Sequence, residues 1–276
     1  MPYATLGERL KAYEASDTQR KAFKGQPIIA RLDGKSFHTF CKGLRRPFDV
    51  RLSDLMIKTM SFLVDRFQAS AGYCQSDEIT LAWFADSTSA TEYPFDGRFQ
   101  KMDSLLASTA SVYFNQFLEE FLPEKADLMP VFDCRTFTVP NLLEAYHCFL
   151  WRQQDCTKNA ISMAAQSMFS HKSLQGLKGR QMQEKMWAEK GVNFNDYPAF
   201  FRRGTFARRV LARRQMTDMD FERIPPMYQP KDGMIERSVI ETCNAWLQRL
   251  EDPVSFLFKG GAEAYRTATG TVDDED

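Results

Sequence analysis

Apolar side chains recur along the first half of the chain with two different periods, and the alternation between them predicts the order of elements. Leu6, Leu10 and Tyr13, at helical spacing among many charges, predict an N-terminal helix over residues 3–23. Pro27 then opens a short apolar run, Ile28-Ile29-Ala30-Arg31-Leu32, that reads as a strand. After Pro47, Leu52, Met56, Leu63 and Phe67 mark the inner face of a helix over about 50–69. Gly72 introduces a strand to Gln75, and Ile79–Phe84 makes the next one, with Ser76-Asp77-Glu78 at the turn between them. A loop with Pro94 and Asp96-Gly97 leads into a second helix over about 98–121, with Met102, Leu105, Leu106, Thr109, Val112 and Phe117 inward. Val131–Val139 reads as a strand that Pro140 ends.

The order is β-α-β-β-α-β with an extra helix in front, the split βαβ, ferredoxin-like pattern of an α+β protein. In that topology the first and third strands are neighbours at the sheet centre, so the end of the first strand at Asp33 lies beside the hairpin carrying Asp77 and Glu78. Beyond Pro140, helical stretches are expected over about 141–170 and 173–190, followed by the basic segment Arg202-Arg203, Arg208-Arg209 and Arg213-Arg214. After about 215 the chain reads as irregular, with Pro225-Pro226, Pro230 and Asp232-Gly233, then a helix near 234–250. Asp273-Asp274-Glu275-Asp276 reads as a disordered acidic tail. The expected division is a catalytic core over 1–139, a helical and basic extension of the same domain over 140–215, and a C-terminal extension over 216–276.

Two short acidic clusters carry the chemistry, Asp33-Gly34-Lys35 and Ser76-Asp77-Glu78, each at the end of a strand-like run. Carboxylates at strand ends, with a glycine that lets the backbone approach closely, suit a hard cation such as Mg²⁺, and Mg²⁺ commonly works on phosphates. Taken singly, an Asp-Gly after a strand is also a turn signal, and Ser-Asp-Glu also fits a solvated hairpin. Their convergence in the expected topology favours the metal reading.

Composition narrows the picture only slightly. The 276-residue chain is long enough for a sizeable core, and 43% hydrophobic with 26% charged residues is ordinary for a globular protein. With 36 Lys plus Arg against 36 Asp plus Glu, any nucleic-acid site must be a local patch. No apolar stretch reaches about 18 residues and no signal pattern opens the chain, so no membrane contact and a cytoplasmic location are expected. The six cysteines form no C-x-x-C pair, and the three histidines add no zinc-ligand spacing. The arginine doublets, Arg203, Arg208 and Arg209 among them, are either RNA phosphate contacts or a solvated strand face.

Three segments carry a family resemblance: Arg31-Leu32-Asp33-Gly34-Lys35-Ser36-Phe37-His38, Tyr73-Cys74-Gln75-Ser76-Asp77-Glu78 and Trp151-Arg152-Gln153-Gln154-Asp155-Cys156. In order over about residues 6–210, they resemble the tRNA-His guanylyltransferase family and its guanylyltransferase-like members, which are 3′–5′ nucleotide-adding polymerases. The resemblance implies a polymerase-palm-like core, two Mg²⁺ ions, ATP or GTP as activating and substrate nucleotides, a tRNA whose 5′ end is extended, and a homotetramer. It makes Asp33 and Asp77 the metal carboxylates, the Gly34 carbonyl a further ligand and Glu78 the adjacent acid needed for activity. Lys35, Ser36, Phe37, His38, Arg46 and Ser76 become nucleotide-contacting positions, and Arg98, Lys101 and Arg152 RNA-contacting ones. For several of these a plainer reading stands beside it. His38 also fits a hydrogen-bonded, half-buried histidine, Lys35 an exposed lysine, and Arg152 with Asp155 an ion pair beside Trp151 at a helix start. Phe37, Phe40 and Phe48 suit either base stacking or the core.

One departure bears on substrate. True tRNA-His guanylyltransferases carry His-Ile-Asn-Asn-Leu-Tyr-Asn after the Trp-Arg motif, whereas this chain has Thr157-Lys158-Asn159-Ala160-Ile161-Ser162-Met163. That points to the like-proteins, which repair truncated tRNA 5′ ends against a template. The alternatives are tRNA-His guanylate addition proper, a palm-type nucleotidyl cyclase acting on one triphosphate without RNA, and an RNA-binding module on a catalytically dead palm. The presence of both aspartates and Glu78 disfavours the last.

Overall fold

The expected ferredoxin-like order is present and is extended along one edge of the sheet. The computed structural model describes residues 5–88 and 92–259. Its first part runs α1 (Leu6–Thr18), β1 (Ile28–Gly34), the single turn α2 (Phe37–Phe40), α3 (Val50–Arg66), β2 (Ala71–Gln75), β3 (Glu78–Trp83), α4 (Phe99–Phe121) and β4 (Phe132–Thr138). Then follow α5 (Leu142–Met168), α6 (His171–Leu174), α7 (Gly179–Lys190), α8 (Ala199–Arg203), β5 (Thr205–Gln215), α9 (Asp218–Arg223), β6 (Met234–Cys243) and α10 (Pro253–Phe258). The strands lie in the order β4-β1-β3-β2-β5-β6, every neighbour antiparallel. β1 and β3 are adjacent at the centre, with Asp33 opposite Glu78.

Period-2 alternation divides the sheet into two buried faces. Ile28, Ala30 and Leu32 of β1 and Ile79, Leu81 and Trp83 of β3 point toward α3 and α4, joining Leu55, Met56, Met60, Leu63 and Val64. α4 meets them with Met102, Leu106, Ala110, Phe114 and Leu118, a straight i, i+4 row. Each large apolar side chain fully buried here stabilises the fold by about 1.5–3 kcal/mol. Ile29, Ala71, Tyr73, Ala82 and Phe206 face the other way and lie under Phe149 of α5 and the C-terminal Leu247, Phe256 and Leu257. The second half of α5 builds its own small core, where Ala160, Ile161, Ala164 and Ala165 pack on Leu174, Met186, Phe194 and Phe201.

Several expectations are corrected. The segment expected as a helix near 234–250 is strand β6, paired along its length with β5 from Met234↔Gln215 to Cys243↔Phe206. Its β-branched Ile235, Val239, Ile240 and Thr242 favour a pleated conformation, and the free edge of β5 supplies hydrogen bonds. The basic segment is therefore mostly β5, part of the sheet. α1 is shorter than expected and buries nothing; Leu6, Leu10 and Tyr13 are exposed, and Thr5 with Glu8 caps its start. Val112, expected inward, is exposed because the buried row of α4 advances in steps of four and passes it by. The stretch expected as one helix over 173–190 is two, α6 and α7. The acidic tail lies outside the described residues.

Candidate active site

The two acidic clusters meet because the sheet register brings them together. The Gly34 N–H donates to the Asp77 carbonyl at 3.2 Å, and the Lys35 N–H to the Val131 carbonyl at 2.9 Å, fixing the end of β1 between its neighbours. Gln75 pairs with Glu78, so Ser76 and Asp77 form a two-residue hairpin turn, with Ser76 in the left-handed region at φ 49°. Only glycine fits at position 34: a Cβ there would lie 2.2 Å from Phe37 Cδ2.

Burial pushes the Asp77 carboxyl above the usual carboxylate range, and the charge of Asp33 pushes it the same way; a hydrogen bond from Ser76 opposes both. Two close carboxylates, one partly desolvated, form a donor set that a hard divalent cation would neutralise. Among the described residues no group of three or more His, Cys, Asp or Glu side chains could hold a metal ion. The donors on offer are Asp33, Asp77 and main-chain oxygen, which fits Mg²⁺, an ion that keeps several waters. Glu78 does not add a third free carboxylate. Its Oε1 accepts from Arg152 Nε at 2.6 Å, while Arg152 Nη2 donates to Asp155 Oδ2 at 3.0 Å.

Beside the Ser76 turn opens a cavity of about 420 Å³, a size that accommodates a small organic ligand. One wall is the segment from His38 to Asp49, including Arg45, Arg46 and Phe48; the opposite wall is α5, through Cys156, Asn159, Ala160, Met163 and Gln166. His38, Arg46 and Ser76 thus line one space, as the sequence reading grouped them, and exposed Lys35 stands at the end of β1 beside Ser36. His38 is exposed rather than half-buried. Asp49 anchors the segment: it accepts from the Arg45 and Arg51 N–H groups and from the Arg51 guanidinium, which also grips Glu124. Cys41 and Cys156 also line the cavity, but burial pushes their thiols up to about 11 and about 12, so neither is a ready nucleophile.

Other candidates move. Phe37 is 2% exposed and packs on Phe40, Phe114 and Phe132, so its side chain belongs to the core and makes no nucleotide contact. Phe40 is core as well, and Phe48 packs on Phe200 and Phe201 at the cavity edge. Arg98 and Lys101 begin α4, whereas the α4 residues near the Asp33 end of the sheet are Ser111 and Asn115, bonded to Phe132 and Pro130. At 1.5 Å per residue they stand about 20 Å from that end, so one chain does not bring them to the carboxylates. Arg208, expected to contact RNA, is 1% exposed, lies 4.2 Å over the Phe256 ring and pairs with Glu241 at 2.8 Å; it cannot meet an external phosphate. Arg209 donates to the Val64 and Asp65 carbonyls and the Asp65 carboxylate, capping the end of α3. Arg152 faces Glu78 and Asp155 mid-helix, not an RNA and not a helix start. Arg203 sits 5.5 Å over the Trp246 ring. The sequence reading missed the α5 wall; its signal was the spacing Asn159, Met163, Gln166, one face of an amphipathic helix.

A family model described as "Thg1: tRNAHis guanylyltransferase" matches residues 7–140, from α1 through β4. A bacterial Thg1-like protein solved in complex with ATP superposes with a TM-score of 0.70 at 38% identity, covering 74% of this chain and 88% of that one. The chain belongs to the tRNAHis guanylyltransferase (Thg1) family. A bacterial Thg1-like structure in complex with GTP covers 91% of this chain and 94% of its own, with a TM-score of 0.66 at 29% identity. The tRNA(His) guanylyltransferase of Saccharomyces cerevisiae is 27% identical over 199 residues, 66% of this chain and 82% of that protein. This Thg1-family protein is accordingly a nucleotidyltransferase on a palm-like α+β fold.

Proposed function

We propose that this Thg1-family protein is a Mg²⁺-dependent, template-directed 3′–5′ nucleotidyltransferase that repairs the 5′ ends of tRNA. The observation that carries the reading is the position of the departing segment: Asn159, Ala160 and Met163, where true tRNA-His enzymes have their histidine-and-asparagine run, line the cavity beside the Asp77 turn. A wall without that run leaves the choice of nucleotide to pairing with the opposing strand, as templated systems delegate sequence reading to base pairs.

Reverse addition proceeds in two transfers. A 5′-monophosphate on the tRNA attacks the α-phosphorus of ATP or GTP, forming a 5′–5′ phosphoanhydride and expelling pyrophosphate. The 3′-hydroxyl of the incoming triphosphate then attacks the activated 5′ phosphorus and expels the nucleoside monophosphate. Asp33, Asp77 and the Gly34 carbonyl would hold two Mg²⁺ ions, which would supply charge neutralisation on the attacking and leaving oxygens. Lys35, His38, Arg46 and Ser76 would orient the triphosphate, and little general-base work is then required of the chain. Glu78, tied by Arg152, would keep the local field acidic without leaving its place on β3.

The assembly we infer is a cytoplasmic homotetramer. The separation of Arg98 and Lys101 from the carboxylates within one chain suits an assembly in which one copy serves the site of another. Among the described residues no helix is long and apolar enough to cross a membrane.

The deciding experiment offers each of the four triphosphates to tRNAs that lack their first nucleotide and differ in the opposing base. Addition of the pairing base to tRNAs of more than one anticodon is expected. Guanylate added only to tRNA-His, whatever the opposing base, would replace repair with maturation; a cyclic product from GTP and Mg²⁺ without RNA would replace both with a cyclase.

A further inference from the structure

We propose that Trp151 is a stacking platform for the terminal base at the RNA 5′ end, on the side of the carboxylates away from the nucleotide cavity. The inference rests on the repair reading for the identity of its ligand.

α5 crosses the sheet face that carries Asp33 and offers different groups along its length. From Cys156 onward it walls the cavity, Arg152 and Asp155 hold Glu78, and Trp151 stands over β1. The Trp151 ring is 55% exposed, yet it is held in place: the Arg31 guanidinium lies 5.5 Å from its centroid and that of Arg152 4.7 Å. Arg31 precedes Asp33 by two residues on the same face of β1, so the residue that holds the ring is rooted about 7 Å along the strand from the proposed metal carboxylate. Exposed tryptophans also occur at positions 187 and 246, but neither is tied to β1.

Arginines also gather at the same place, interleaved with the carboxylates Asp33 and Asp133. Arg31 lies directly opposite Arg135 of β4, and like charges in that position destabilise a sheet. Asp133, opposite Asp33, offsets one of them by pairing with Arg135 at 3.0 Å. Both Arg135 and Asp133 are exposed, so the β4 half of this face is open to solvent. An aromatic ring flanked by guanidinium groups on an open shelf is how proteins hold single nucleotides without sequence preference, since every base has a π-face. That tolerance suits an enzyme that must accept whichever nucleotide ends the damaged strand. Reverse addition needs a triphosphate on one side of the carboxylates and an RNA end on the other; the cavity takes the first and the Trp151 shelf the second.

The test uses the full chain and a 5′-truncated tRNA carrying 2-aminopurine as its terminal base. Binding to the wild-type protein should quench the 2-aminopurine emission, and Trp151→Ala should remove most of the quenching. The same variant should raise the KM for RNA by about tenfold or more, the scale of one lost base–aromatic stack, while the KM for the triphosphate stays level. Trp151→Phe should recover most of the affinity. A KM for RNA within about twofold of wild type in Trp151→Ala, or an equal rise for the triphosphate, would overturn the assignment. If the alanine variant does not fold, the wild-type titration decides alone: emission unchanged on binding rules out the stack. A wild-type protein that binds the RNA but adds no nucleotide would count against the repair reading, and the quenching would still decide the stack.

Discussion

Arg152 Nε and Glu78 Oε1 stand 2.6 Å apart, joining the middle of α5 to the first residue of β3. Both side chains are nearly out of solvent, at 11% and 12% exposure, and Asp155 takes the other arm of the guanidinium. The acid next to Asp77 is thereby fixed in position and its charge is balanced.

Removing one partner of that pair strands the other charge. Arg152→Ala should cost about 3 kcal/mol of stability, and Arg152→Lys should recover only part, because an ammonium cannot serve two carboxylates with the geometry of a fork. Denaturant unfolding of the three proteins measures this; an unchanged midpoint in Arg152→Ala would show that the pair contributes nothing.

Asp33→Ala and Asp77→Ala should each lower nucleotide addition by about three orders of magnitude or more, since on the proposed mechanism each would remove a ligand from the Mg²⁺ ions that would neutralise transition-state charge. Stability should move the other way for Asp77→Asn. Burial and the Asp33 charge disfavour the ionised Asp77, so a neutral isostere should leave the melting temperature unchanged or raise it. Wild-type turnover in either alanine variant would refute the metal assignment.

Asp49 should make the fold acid-sensitive in a defined window. The Arg51 guanidinium, helped by two backbone N–H donors, holds its carboxyl at about 2 against an ordinary 3.8. A carboxyl depressed in the folded state contributes stability that is fully present above the unfolded value and is lost as pH falls through the folded one, here between about pH 4 and 2. The contribution is about 1–2 kcal/mol, reduced from the full linkage value because the Arg51 end is open to solvent. Asp49→Asn should be less stable at pH 7 and should lose this acid-dependent increment; identical pH–stability curves for the two proteins would contradict it.

The arginines of β5 should separate by depth. Arg208→Ala should lower the melting temperature markedly, because it empties the space over Phe256 and removes the bond to the Phe256 carbonyl. Arg213→Ala, whose side chain is 62% exposed and pairs with Asp232 at the surface, should leave it within about 1 °C. Filter binding to tRNA at several salt concentrations then shows whether Arg213 makes a phosphate contact: a shallower salt slope in its variant would say so.

The palm core was legible because its signals were local. Apolar runs with β-branched residues, a glycine directly after Asp33 and two amphipathic helices fixed the order of elements, and that order alone placed Asp33 beside Glu78. What was not legible depended on partners distant in sequence. Met234–Cys243 has β-branched residues that suit a strand, but where it pairs is set by the edge that β5 offers, and nothing within the segment announces that edge. Arg208 looked like a surface charge because burial is settled by Phe256 and Glu241, residues far along the chain. Phe37 looked available to a base until the ring proved to rest on Gly34. The cavity was hidden for the same reason, since its walls come from segments on either side of the sheet's central strands.

α5 is one unbroken helix, and it meets Trp151, Arg152, Asp155, Asn159 and Met163 in fixed rotational phase. An insertion or deletion of a single residue between Arg152 and Asn159 would turn everything beyond it by about 100°. It would swing Met163 out of the cavity wall while Arg152 stayed on Glu78. Divergence in this stretch is therefore confined to replacing side chains at constant length. On the resemblance drawn from the sequence, the departure at Thr157–Met163 has that form, seven residues in place of the seven of His-Ile-Asn-Asn-Leu-Tyr-Asn. The helix acts as a ruler, on which the marks can be rewritten but not respaced.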